Sequence, residues 1–75
     1  MARTIYDVYP SGESWGVKRR GADRADSLWD TKPPAVNRGV ALAEANEPSQ
    51  LVIRRKDGTI EEERTYGDDP YPPPG

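Results

Sequence analysis

One stretch of this chain has the length and the apolar spacing of a helix of several turns, and every other element must pack against it. It opens at Asp30-Thr31-Lys32-Pro33-Pro34 and runs to about Asn46. Thr31 is placed as an N-cap, its hydroxyl accepting one of the amide hydrogens that a helix start leaves unpaired. Proline is tolerated in a first turn, where its missing N–H has no intrahelical partner, so Pro33 and Pro34 mark a beginning. Pro34 also disfavours the α region at Pro33, which predicts a regular helix that starts a residue or two late. Val36, Gly39, Val40 and Ala43 then recur at helical spacing, widened by Ala35 and Leu42, and Asn46-Glu47-Pro48 supplies the stop. Gly39 costs roughly 1 kcal/mol against Ala inside a helix. A close approach of the helix backbone to a sheet would offset that loss.

The flanking segments read as short strands. Arg3 to Tyr9 is rich in β-branched and aromatic residues, with Thr4, Tyr6 and Val8 on one face and Ile5, Asp7 and Tyr9 on the other. Residues 10–14 form a turn by composition, and Trp15 to about Arg20 returns as the partner strand, with Lys18 and Arg20 opposite Trp15 and Val17. Leu28-Trp29 is enough for a short third strand or a bridging segment. After the helix, residues 50–55 form a strand with Leu51 and Ile53 on one face. Lys56-Asp57-Gly58 is the strongest turn signal in the chain, and Thr59 to Arg64 pairs back. That last strand is so rich in glutamate that it belongs at an edge.

The expected fold is therefore α+β: one antiparallel four- to five-stranded sheet made of two hairpins, with the helix on one face, in the order β-β-(β)-α-β-β. Residues 1–64 make the single domain, and residues 65–75, four of whose last six are proline, an extended or polyproline II tail. Tyr6, Val8, Trp15, Val17, Val36, Val40, Ala43, Leu51, Ile53 and Ile60 would fill the layer between helix and sheet. A chain of 75 residues buries only about 60% of its unfolded surface, so that layer is small. With no cysteine and no histidine, a disulfide framework and a zinc site are both excluded, and the commonest general base is missing. No apolar run is long enough to span a bilayer and no signal-peptide core is visible, so the expected setting is cytoplasmic.

Several segments together carry a family likeness. Trp15-Gly16-Val17-Lys18, Gly21-Ala22-Asp23-Arg24-Ala25, Asp30-Thr31-Lys32 with Ala35, Lys56-Asp57-Gly58-Thr59-Ile60 and Tyr66-Gly67-Asp68-Asp69-Pro70-Tyr71-Pro72-Pro73 resemble, in order, the small bacterial proteins grouped as domain of unknown function 2188. Pro33-Pro34 stands where the resemblance would lead one to expect helix-forming residues. The resemblance implies the fold order and a bacterial cytoplasmic setting. It assigns no catalytic, cofactor or metal residue.

The residues themselves point away from catalysis. Asp68-Asp69 and Glu61 to Glu63 are neighbouring carboxylates in solvated segments, without the contrast in environment that separates an acid from a base, and without calcium-loop spacing. Serines 11, 14, 27 and 49 have no histidine to activate them. The expectation is a non-catalytic module, without cofactor or metal, that contacts a protein partner or a second copy of itself. Ile5, Tyr9 and Val52, on the sheet face away from the helix, are the candidate self-association residues. The alternative is a nucleic-acid-binding sheet using Lys18, Arg20, Arg24, Arg54 and Arg55. Against it stand the net charge of −2 and the glutamates of the last strand, which can pair with Arg54 and Arg55 across the hairpin. Pro70-Tyr71-Pro72-Pro73 offers a third reading, a docking peptide for an aromatic-lined groove.

Overall fold

The structure, a computed structural model, describes residues 3–67. The Asp68-Asp69 pair, the proline-rich docking segment and most of the tail expected over 65–75 lie outside those residues. Within them the chain forms β1 (Thr4–Ser11), β2 (Ser14–Arg19), β3 (Ser27–Trp29), α1 (Lys32–Ala45), β4 (Ser49–Arg54) and β5 (Ile60–Tyr66). Thr65 and Tyr66 thus belong to the last strand and not to the tail.

Two tight turns fix the hairpins. Ser11 pairs with Ser14 across Gly12-Glu13, and Gly12 takes a φ of 62° that a side chain would resist. In the second hairpin the Gly58 N–H donates to the Arg55 carbonyl at 2.9 Å, and Asp57 Oδ1 accepts from the Thr59 amide at 3.0 Å.

The sheet is five-stranded in the order β3-β2-β1-β4-β5 and mixed, which corrects the expectation of a purely antiparallel sheet. The two hairpins meet along a parallel seam, Tyr6 beside Leu51 and Val8 beside Ile53. Counting chain reversals explains it. β2 runs against β1, β3 against β2, and α1 carries the chain back across the sheet, so β4 must run with β1 when the two become neighbours. Ser27–Trp29, a strand and not a bridge, sets that parity.

The helix is regular from Lys32, earlier than the proline pair suggests, and the capping expectation fails for a definite reason. Thr31 has the extended backbone of an N-cap but its side chain makes no capping bond. A capping hydroxyl accepts from the second or third helical N–H, and those positions are Pro33 and Pro34, which have none. At the other end Asn46 Nδ2 donates to the Leu42 carbonyl at 2.8 Å, and the buried Ser49 hydroxyl donates to the Ala43 carbonyl.

The buried line of α1 is Ala35, Gly39 and Ala43, with Val36, Val40 and Leu42 packed at its flanks. These small residues let the helix approach the sheet closely over Val8, Val17, Leu51 and Ile53, which together with Tyr6 complete the core. Ile60, expected in that core, is 44% exposed. The register slips where β4 passes from Ile53 to Arg54: Ile53 faces Glu62, yet Arg54 faces Ile60. The additional residue, Glu61, bulges β5 and turns toward the helix, where it pairs with Lys32, and Ile60 moves to the side of Arg54.

Candidate functional site

Alternation along the strands divides the sheet into a helix-covered face and an open one. β1 contributes Ile5, Asp7 and Tyr9 to the open face; the register places Lys18 beside Asp7, Gly16 beside Tyr9, and Leu28 beyond Gly16. On the other side of the seam Gln50, Val52 and Arg54 join them, followed by Glu63 of β5. None of the described helix lies over this surface.

Its centre is electrostatic. Asp7, whose side chain is 15% exposed, accepts from Arg20 through both carboxylate oxygens, at 2.8 Å from Nη2 and 3.2 Å from Nε. Arg54 Nη2 reaches the same carboxylate at 3.5 Å while its Nη1 donates to the Gly58 carbonyl at 3.0 Å. One anion thus orients two guanidiniums that arrive from strands far apart in sequence. The bond to Asp7 and its charge hold the Arg20 guanidinium more firmly protonated than usual. Glu63, at the rim, accepts from Gln50 Nε2 at 2.8 Å.

Around the charges lie apolar groups. Tyr9 lays its ring across Gly16, so closely that a Cβ there would stand 2.5 Å from Tyr9 Cζ. Leu28 next to it is 61% exposed. Of the residues expected to form a self-association patch, Ile5 and Tyr9 are partly exposed, whereas Val52 is 3% exposed and offers almost no surface. Leu28 and Ile60, at opposite margins, are large apolar side chains whose exposure periodicity alone did not mark.

The candidate basic residues do not form one patch. Lys18, Arg20 and Arg54 share the open face, Arg24 lies exposed in the β2–β3 connection, and Arg55 turns into its own hairpin, donating to the Ile60 carbonyl at 2.9 Å. The expected cross-hairpin pairs of Arg54 and Arg55 with Glu61 or Glu63 are replaced by other partners. Glu61 meets Lys32, and Arg64 holds Glu62 at 2.8 Å, which keeps that carboxyl below its usual range.

Shallow depressions mark the surface formed by the described residues. One of about 270 Å³ is lined by Asp7, Tyr9, Lys18 and Arg54 on the open face. A second, about 260 Å³, lies among Arg3, Thr4, Ile5, Arg19 and Arg20. A third, about 390 Å³, runs between the start of α1 and β5. A buried small-molecule site encloses most of its ligand, whereas these hollows are open to solvent. Among the described residues no three His, Cys, Asp or Glu converge on a common point, and no helix is long and apolar enough to cross a membrane.

The family model described as "Uncharacterized protein conserved in bacteria (DUF2188)" matches residues 6–66, from β1 to the end of β5. No curated protein and no solved structure matches the chain.

Proposed function

We propose, from the premise that this chain belongs to the DUF2188 family of bacterial proteins, that it is a non-catalytic contact module whose working surface is the open face of its sheet. The observation that carries this reading is the make-up of that face: a carboxylate already committed to two arginines, set among Tyr9, Ile5, Leu28 and Ile60. Pre-oriented arginine and aromatic groups are the residues that dominate protein interfaces, because they bring large contact area with little ordering cost.

Lys18, Arg20 and Arg54 against Asp7 and Glu63 leave the face with a surplus of one positive charge. The partner that fits is a protein surface carrying carboxylates beside apolar side chains. Two copies placed face to face would oppose like surpluses, so a different protein is favoured over self-association. Nucleic acid is the weaker alternative, since Asp7 occupies the middle of the arginines that would have to meet phosphate.

The test is a pull-down from a bacterial lysate, with and without nuclease, using the wild-type chain and the variants Leu28→Asp, Lys18→Glu and, on the helix side, Glu44→Lys. Capture lost with the two open-face variants, kept with Glu44→Lys and indifferent to nuclease supports the reading. Capture abolished by nuclease transfers the function to nucleic acid. Capture unaffected by either open-face variant removes this face from the account.

A further inference from the structure

Where β1 begins and β2 ends, a hollow of about 260 Å³ is lined by Arg3, Thr4, Ile5, Arg19 and Arg20. Its form follows from the strand ends. The Arg20 N–H donates to the Ile5 carbonyl at 2.7 Å, just past the end of β2, and Gly21 then turns the chain away with a φ of 95°. Arg20 reaches Asp7 on the open face, whereas Arg19, one residue earlier, belongs to the side of Val17. That both line one hollow means it wraps round the end of the sheet. Arg3 joins them from the residue before β1.

Guanidiniums gathered on one hollow repel each other unless an anion stands among them. Asp7 does not fill that place, because with Arg54 it lines the neighbouring hollow and not this one. It grips Arg20 by Nε and Nη2. This side-on grip engages one edge of the planar group and leaves the Nη1 edge directed away from the carboxylate. Asp7 therefore orients Arg20 without occupying the hollow.

Guanidiniums that arrive from two strands and from both sides of a sheet suit a tetrahedral group better than a planar one. A carboxylate offers its oxygens in one plane, whereas a phosphate monoester presents three terminal oxygens and a charge of about −1.5 to −2. Thr4 adds a hydroxyl to the lining, and Ile5 an apolar side chain beside which an ester stem can lie. We infer that this hollow binds the phosphoryl group of a phosphate monoester, with Arg3, Arg19 and Arg20 meeting its oxygens. A diester fits less well, since it has fewer terminal oxygens, a single charge and chain continuing on both sides. The inference goes beyond the open-face reading and does not need it, because Tyr9, Leu28 and Lys18 are not part of the lining.

The test is a titration of the full chain with inorganic phosphate, read by amide shifts at an ionic strength held constant with chloride. Thr4, Ile5, Arg20 and Gly21 should move saturably. Arg19→Gln, at an exposed position, should weaken binding roughly tenfold, as the loss of a charge-assisted bond requires. Lys56→Gln, in the β4–β5 turn, removes the same charge elsewhere and should change the affinity by no more than about twofold. Acetate and dimethyl phosphate should compete far less well than phosphate. Given those results, a phosphoserine peptide that binds more tightly than glycerol phosphate places the ester on a protein, the reverse order places it on a small molecule, and both support the site. Equal competition by acetate or by dimethyl phosphate overturns the inference, as do shifts that follow ionic strength alone. Parental affinity in Arg19→Gln overturns it as well.

Discussion

Gly39 shows how far a single side chain controls the distance between the layers. A Cβ built there would stand 2.8 Å from Leu51 Cδ1 and 3.0 Å from Val8 Cγ2. Both partners are fully buried and have nowhere to turn. Gly39→Ala gains about 1 kcal/mol of helix propensity, but overpacking a filled core costs roughly 1–3 kcal/mol. The variant should therefore melt several degrees lower, since 1 kcal/mol corresponds to about 4–8 °C in a domain of this size. A melting temperature equal to or above that of the parent would mean that the helix rides higher on the sheet. Asp26 supplies a residue-scale test in pH. Its carboxylate accepts from Arg38 Nε at 2.9 Å, and that bond holds it below the usual carboxylate range. A carboxyl depressed in the folded state contributes fully above its unfolded value, near 3.9, and loses that contribution as pH falls through the depressed value. The effect is modest because both partners are well solvated. Asp26→Asn should melt below the parent at about pH 7, and the gap should narrow steadily as the pH is lowered through the acid range. A gap that persists in acid would assign the loss to packing and not to charge.

At the scale of elements, what was legible followed from local chemistry. Gly12 and Asp57-Gly58 announced both hairpins, the proline pair and the stripe from Ala35 to Ala43 announced the helix, and the glutamates of β5 announced an edge. What stayed hidden depended on how elements meet. No residue of β1 or β4 says that the two run parallel; that direction follows from β3, three residues whose pairing with β2 is decided by long-range contacts. The bulge at Glu61 was equally invisible, because it places a charged residue toward the helix against the alternation and makes sense only once Lys32 is opposite. The consequence can be measured. Ile60→Thr should change stability by no more than about 0.5 kcal/mol, as at an ordinary surface site, whereas Leu51→Ala, at a fully buried position, should cost about 2–5 kcal/mol. Denaturant midpoints for the pair decide it: comparable losses would restore Ile60 to the core and remove the bulge.

At the scale of the whole molecule the open face is governed by position more than by composition. The chain carries a net charge of −2, yet three of its cations gather on one surface with Asp7 among them. The cations were legible from strand alternation, since Lys18 and Arg20 share a side of β2. The role of Asp7 was not, because Arg54 reaches it only across the parallel seam. That carboxylate is also what separates the two readings of the surface. In a face built for phosphate it would oppose the ligand, and in a face built for a protein it serves to hold Arg20 and Arg54 in place. Asp7→Asn removes the charge while keeping the shape, raises the surplus on the face and releases the guanidiniums. The wild-type chain should pass duplex DNA unretarded at low salt. Asp7→Asn should be retained there and lose that retention between about 50 and 200 mM salt, as counterion release requires. Should the wild-type chain already bind with a steep salt dependence, and Asp7→Asn add nothing, then the carboxylate is not a barrier to phosphate, and the open face is a nucleic-acid surface after all.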